Sequence, residues 1–248
     1  MKRLIQYSAG AFILVNTLAA QGPSSLLGIS SAPSKGSASL SVPVQIIVLL
    51  SLLAILPAVI MSVTPFLRIT VVLHFLRQAL STQGTPSNQV LIGLAFFLTL
   101  VIMQPVATDM YHKGWEPLEA GQASWQQAWN DGAQPLKTFL LRYVREKDVG
   151  LFLEISHIPV PNDRSGLGLG VLMPAYVLSE LRTGFQIGAI LFLPFLVIDL
   201  VVASVTLSIG MVQLPPIMLS APLKILLFVL VDGWNLVIGS LMRSFYGG

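Results

Sequence analysis

Four long apolar segments divide the chain, and each predicts a hydrophobic helix. Each is close to the ~20 residues that cross the hydrocarbon core of a bilayer, and they span residues 44–63, 90–106, 185–207 and 217–238. The Gly/Pro-containing segment from Gly210 to Pro216 separates the last two, so we expect a helical hairpin there. The pattern predicts an all-α integral membrane protein with four hydrophobic helical segments in two hairpins.

The other segments are polar or short. Residues 1–20 have the basic start, short apolar core and small exit residues of a secretory signal peptide, with an uncleaved first anchor as the alternative. Residues 21–43 are rich in Ser, Gly and Pro and predict a flexible lead. Residues 107–183 hold most of the acidic residues and include helix-like stretches at 119–130 and 136–144. We expect an extramembrane helical domain there, on the periplasmic side.

The two hairpins therefore span residues 44–106 and 184–248. The loop of the first hairpin contains Arg68 and Arg77, and the positive-inside rule places such a short basic loop in the cytoplasm. The second hairpin contains the Gly/Pro turn.

Composition supports a membrane protein and excludes several classes of function. The chain is 54% hydrophobic and 10% charged, and that charged fraction is well below the value of a soluble domain. Its basic residues are scattered, so nucleic-acid binding is not indicated. It has no cysteine, its three histidines are far apart, and no common catalytic or nucleotide-binding motif is present. We expect neither an enzyme nor a bound cofactor or metal.

Three charged residues, Asp199, Lys224 and Asp232, interrupt the second hairpin. An unpaired charge at the centre of a bilayer helix costs at least about 2.5–3.5 kcal/mol, so such groups face a partner or a water-filled path. Asp199 and Lys224 lie at comparable distances from the turn, which allows an ion pair within one subunit or between neighbours. This pair either fixes the register of the hairpin or serves an ion-coupled small-molecule transporter.

Several long segments resemble the FliP family of flagellar biosynthetic proteins, and the resemblance covers nearly everything after Val44. They comprise Phe66-Leu67-Arg68-Ile69, residues 76–80, residues 88–99, the run Ser179-Glu180-Leu181-Arg182-Thr183-Gly184-Phe185, residues 193–204, and Val231-Asp232-Gly233-Trp234.

The resemblance implies a function that the residue pattern alone does not indicate. Members of this family form the export gate of the flagellar type III secretion system in the bacterial inner membrane, at the basal body. Five copies assemble with FliQ and FliR into a helical pore for unfolded flagellar proteins, together with other export apparatus proteins. Their hydrophobic hairpins are raised toward the periplasm and buried against neighbouring subunits. Buried charges with a role in assembly are then expected at Arg68, Arg77, Glu180, Arg182, Asp199, Lys224 and Asp232.

The resemblance also implies a seal at the turn of the second hairpin. The family has a methionine-rich turn there that acts as a gasket in the closed pore. The matching positions are Met211, Val212 and Gln213, followed by Leu214, so one methionine is kept. The alternative is a plain connection between two helices. The signal peptide and the Ser/Gly/Pro lead favour the flagellar branch over the virulence-associated branch.

Overall fold

A computed structural model describes residues 42–82, 84–161, 163–210 and 215–246, and all the regular secondary structure within these ranges is helical. This confirms the expected all-α class for that part of the chain. The expected signal peptide, most of the lead and the gasket positions Met211, Val212, Gln213 and Leu214 lie outside the described residues. The helices are α1 (Val42–Ser62), α2 (Phe66–Ala79), α3 (Asn88–Met110), α4 (Glu116–Glu119), α5 (Trp125–Tyr143), α6 (Glu146–Ile155), α7 (Leu169–Ser208), α8 (Pro216–Leu230) and α9 (Gly233–Tyr246).

The chain divides into two compact units, residues 1–55 and 56–248. In the first unit the described part is the amino-terminal portion of α1, a continuous run of apolar residues. The second unit contains the end of α1 and all the later helices.

Three helical stretches are long and apolar enough to cross a membrane. They are Pro43–Ser62, Asn88–Glu119 and Leu169–Ser208. Helices α8 and α9 form a fourth if the pair, which is bent by 65°, is counted as one span. With the bent pair counted, the number of stretches equals the four apolar segments expected from the sequence. The lengths and compositions of these helices are those of a membrane protein.

Helix α7 is longer than the apolar pattern suggests. It has 40 residues, so it is about 60 Å long at 1.5 Å per residue. It begins at Leu169 and runs without a break through the expected boundary between residues 183 and 184. Glu180 and Arg182, which precede the apolar run in the sequence, lie inside this helix, and each has a partner on another helix.

Two glycines allow α2 to lie close to α7. A Cβ atom on Gly188 would lie 2.5 Å from Cγ of Phe75, and one on Gly184 would lie 3.1 Å from Cγ1 of Val71. Side chains of α2, α3, α5 and α7 form the core around this crossing. Its fully buried members include Ile69, Val72, Leu73, Leu91, Ala95, Leu140, Leu172, Ala175 and Tyr176.

The segment between α3 and α7 is helical, as expected, with different boundaries. The two stretches expected at 119–130 and 136–144 form one helix, α5, which begins at Trp125. Ser124 caps it: its hydroxyl accepts from the backbone N–H of Gln127, whose side chain accepts in turn from the N–H of Ser124. Gly121, with a φ of 67°, makes the turn before this cap. Pro135 lies within α5 without ending it.

Candidate functional site

A group of four polar side chains, which we call the clasp, joins the two hairpins. Lys224 of α8 donates to Oδ2 of Asp199 on α7 at 2.6 Å and to the hydroxyl of Ser81 at 2.8 Å. Ser220, one turn before Lys224 on α8, donates to Oδ1 of Asp199 at 2.6 Å. The ion pair that the sequence allows is therefore present within one chain.

Local structure explains how these four residues meet. Ser220 and Lys224 are four residues apart, so they share one face of α8. Ser81 follows α2 with a φ of 55°, a left-handed conformation that turns the chain away from the helix. Lys224 is only 1% exposed, whereas the side chain of Asp199 is 33% exposed. The ammonium is thus enclosed by protein oxygens, which compensate for the cost of burying its charge.

A second buried ion pair joins α2 to α7. Nε of Arg68 donates to Oε2 of Glu180 at 2.8 Å, and Nη2 of Arg68 contacts Oε1 of the same carboxylate. Their exposed fractions are 4% and 0%. The family resemblance implies a role in assembly for both residues, and the structure brings them together within one chain.

Arg68 also contacts the carboxyl-terminal helix. Its Nη1 donates to the hydroxyl of Ser244 at 3.2 Å, and its guanidinium carbon lies 4.0 Å from the centroid of the Phe245 ring. Such a cation–π contact is favourable, more so when it is shielded from water. Tyr143 of α5 donates to the backbone carbonyl of Phe245. Burial is the main cause of a raised pKa for the Tyr143 hydroxyl, so this donor stays protonated at neutral pH.

A third buried polar group lies between α6 and α7. Asp148, which is 2% exposed, accepts from the hydroxyl of Ser179 at 2.7 Å. Arg182 places Nη2 3.6 Å from Oδ1 of Asp148. The charged residues for which we expect a role in assembly include Arg182 but not Asp148. An acidic residue in the first turn of α6 has an ordinary role at a helix amino terminus, so nothing in the sequence marks it as buried.

Two expected site residues lie elsewhere. Arg77 is half-buried at the end of α2 and donates to Oδ1 of Asn88 at 2.5 Å. Asp232 is exposed in the single chain and accepts from the side-chain amide of Asn235 at 3.2 Å. It does not join the clasp, because it has a φ of 51° at the bend between α8 and α9 and leaves the face that carries Lys224. Burial of Asp232 against a neighbouring subunit stays a prediction.

Comparisons with known proteins identify the family. The sequence profile of the FliP family matches residues 49–241. The chain belongs to the FliP family. The flagellar biosynthetic protein FliP of Pectobacterium carotovorum is 47% identical over 89% of this chain and 86% of its own length. The FliP proteins of Bacillus subtilis and Caulobacter vibrioides are 44% and 46% identical over 84% and 83% of this chain, and over 94% and 77% of their own lengths.

The segment matched by the FliP profile includes an exposed apolar arm, which we define as residues 200–209 of α7 and its following turn together with residues 217–219 of α8. The clasp lies at the base of this arm. Beyond it, large apolar side chains of both helices are exposed in the single chain; they include Leu200, Val201, Val205, Leu207, Ile209, Ile217 and Met218. Along α7 the arm extends about 15 Å past Asp199, at 1.5 Å per residue.

Proposed function

We propose that this chain is a pore-forming core subunit of the flagellar type III protein export gate. In this function it contributes to the channel through which unfolded flagellar proteins cross the bacterial inner membrane at the basal body. Membership of the FliP family supports the proposal, since the curated relatives are named flagellar biosynthetic proteins. The apolar helices support the membrane location.

The exposed apolar arm is the observation that carries the proposal. Large contiguous apolar surfaces on a folded chain indicate contact with protein or lipid. The clasp holds α7 and α8 together at the base of the arm, and the apolar side chains beyond it are exposed and free to contact neighbours. We propose that these neighbours are further copies of the chain, five in all, with FliQ and FliR subunits around them.

The segment between α7 and α8 completes the proposal. We propose that Met211, Val212, Gln213 and Leu214 contribute to the seal of the closed pore, since they connect two helices whose adjoining side chains are apolar. A flexible methionine side chain adapts its packing to a ring of neighbours. The subunit itself performs no chemistry in this function, and the energy for export comes from other components.

Co-purification tests this function. The tagged chain, co-expressed with FliQ and FliR from the same organism, is extracted in mild detergent and its stoichiometry is measured by native mass spectrometry. We expect one complex of fixed composition with several copies of the tagged chain. A chain that purifies alone and accumulates a small molecule in vesicles without FliQ or FliR would favour an ion-coupled transporter instead.

A matched pair of variants shows whether the arm makes the assembly contacts. Val201→Asp places a charge on the arm, and Val160→Asp places one on an exposed apolar position outside it. We expect the first variant to remain in the membrane fraction but lose FliQ and FliR, while the second keeps both. Retention of a full complex by Val201→Asp would contradict an assembly role of the arm.

A further inference from the structure

A polar pocket lies beside the connection between α2 and α3. Its volume is about 640 Å³, and the residues that line it are all polar or glycine; they include His74, Arg77, Gln78, Thr82, Asn88 and Gln89. Small-molecule sites commonly have volumes of roughly 300–1,000 Å³. None of the lining residues has a carboxylate.

Arg77 gives this pocket a positive charge with no acidic partner. Its Nη1 donates to Oδ1 of Asn88 and to the carbonyl of Pro86, both neutral acceptors. Among the ion pairs of the described residues, none includes Arg77. The sequence explains part of the missing ion pair at Arg77. The first acidic residue of the chain is Asp109, so no acidic residue lies close to Arg77 along the chain.

Two buried cations of the described residues are neutralised by protein carboxylates. Arg68, at the opposite end of α2, is paired with Glu180, and Lys224, which contacts Ser81, is paired with Asp199. His74 adds an imidazole to the lining of the pocket. Its Nδ1 lies 2.8 Å from the carbonyl of Thr70, so that nitrogen donates and the imidazole is held in place at the edge of the pocket. Arg77 differs from the two buried cations, because no protein carboxylate neutralises it.

The pocket lies beside the end of an apolar helix. Asn88 is both a lining residue and the first residue of Asn88–Glu119, a stretch long and apolar enough to cross a membrane. Basic pockets between such helices bind anionic lipid headgroups, so an anionic phospholipid is one source of a ligand.

We propose that this pocket binds a phosphate group, from an anionic phospholipid or from a soluble phosphate. The guanidinium of Arg77 has a planar pair of donors that matches two phosphate oxygens. The side-chain amides of Gln78 and Gln89 add neutral donors around it. The proposal does not rest on the proposed export function.

Two variants, each with a matched control, test the site in the full-length protein in its purified complex. Arg77→Gln removes the charge, and Arg142→Gln removes a charge from an exposed arginine outside the pocket. Gln89→Glu places a carboxylate at an exposed lining position, and Gln122→Glu does so at an exposed position elsewhere. Binding of phosphatidylglycerol is measured by native mass spectrometry against diacylglycerol, which has no phosphate.

We expect Arg77→Gln and Gln89→Glu each to weaken phosphatidylglycerol binding about tenfold, as hydrogen bonds to charged groups typically do when lost. Arg142→Gln and Gln122→Glu should bind as the unmodified protein does. Competition by millimolar inorganic phosphate would identify a soluble ligand, and its failure to compete would identify a lipid headgroup. Equal phosphatidylglycerol binding by all four variants, or equal retention of diacylglycerol, would overturn the proposal.

Discussion

Arg68 and Glu180 are 112 residues apart in the sequence and form a two-point ion pair in the interior of the protein. The pair joins α2 to α7, and the same guanidinium stacks against Phe245 of α9. Removing both charges from water costs several kcal/mol for each ion, and their mutual attraction compensates only while both partners are present. The pair therefore couples the position of the carboxyl-terminal helix to the packing of two central helices.

The first prediction removes one partner of this pair. Glu180→Gln leaves the buried guanidinium of Arg68 without its counter-charge, and we expect a loss of about 3–5 kcal/mol in stability. Glu154→Gln, the same change at an exposed residue, should have an effect of less than about 0.5 kcal/mol. Thermal unfolding of the two purified variants measures the difference.

Hydrogen exchange gives a second measurement for the same variant. Because Arg68 contacts both Ser244 and Phe245, we expect faster amide exchange throughout α9 in Glu180→Gln. The double variant Arg68→Met with Glu180→Leu replaces the pair by apolar groups and should recover stability. Unchanged exchange in α9 would show that Arg68 does not hold this helix.

The length of α7 shows what the sequence pattern can and cannot predict. Hydropathy correctly predicts a helix over residues 185–207, because apolar side chains there are continuous. It does not predict the sixteen helical residues from Leu169 to Gly184, since Glu180 and Arg182 resemble the end of a hydrophobic segment. Their partners, Arg68 and Asp148, are on other helices and cannot be found from spacing along the chain.

The second prediction concerns the clasp. Asp199→Ala leaves the enclosed ammonium of Lys224 with only Ser81, and we expect a loss of about 3 kcal/mol, the lower end of the range for a broken buried pair, because Asp199 is 33% exposed. Asp131→Ala, at an exposed position, is the control and should be nearly neutral. The yield of assembled complex and its unfolding temperature are the measurements.

A double variant separates pairing from independent effects at the clasp. If Asp199 and Lys224 stabilise the hairpin as a pair, Asp199→Ala combined with Lys224→Met should regain part of the loss. Additive damage in the double variant would mean that each residue acts through different partners. A transport assay on the double variant separates a structural role of the pair from an ion-binding role. If the pair binds an ion, transport activity should be lost even where assembly recovers.

The contact between Asp199 and Lys224 in the clasp is easier to predict from the sequence than the contacts of the other buried charges. Asp199 and Lys224 lie on adjacent helices of one hairpin at comparable distances from the turn, which allows them to meet. Spacing along the chain does not position Asp232 in the same way, because the chain bends by 65° between α8 and α9. Ser81 carries no signal in the sequence, since its role depends on a left-handed turn after α2.

The third prediction tests the close crossing of α2 and α7. Gly188→Ala places a methyl group 2.5 Å from the ring of Phe75, whose Cβ is only 2.9 Å away, so the whole side chain must move. Phe75 also packs edge-on against Phe185. We expect a loss of about 1–3 kcal/mol from this overpacking. Thermal unfolding of the purified variant measures it.

Gly93→Ala is the matched control for this change. Gly93 lies within α3 with nothing within 4 Å of an added Cβ, and replacing a helical glycine by alanine stabilises by roughly 0.5–1 kcal/mol. The two variants should therefore shift the unfolding temperature in opposite directions. A shift of the same sign and size in both would mean that the distance between α2 and α7 does not depend on Gly188.

The fourth prediction concerns the segment between α7 and α8. The triple variant Met211→Ala, Val212→Ala and Gln213→Ala should let ions leak across the membrane if these side chains close the pore. The physical reason is that one turn from each of several copies would meet at a single constriction, and constrictions lined by apolar groups close by excluding water. The measurement is ion conductance of reconstituted complexes, with assembly yield determined in parallel.

A single polar replacement makes this test more specific. Met211→Ser keeps the backbone and replaces the one methionine of the turn by a polar side chain. If the pore is closed by the exclusion of water, this single variant should increase ion leak. Val160→Ala, at an exposed apolar position outside the arm, should leave conductance unchanged. If both turn variants assemble in normal yield and the membrane stays tight, the turn only connects α7 to α8. The closed state would then depend on the apolar side chains of the arm itself, and alanine substitution of Leu207 and Ile209 should produce the leak that the turn variants lack.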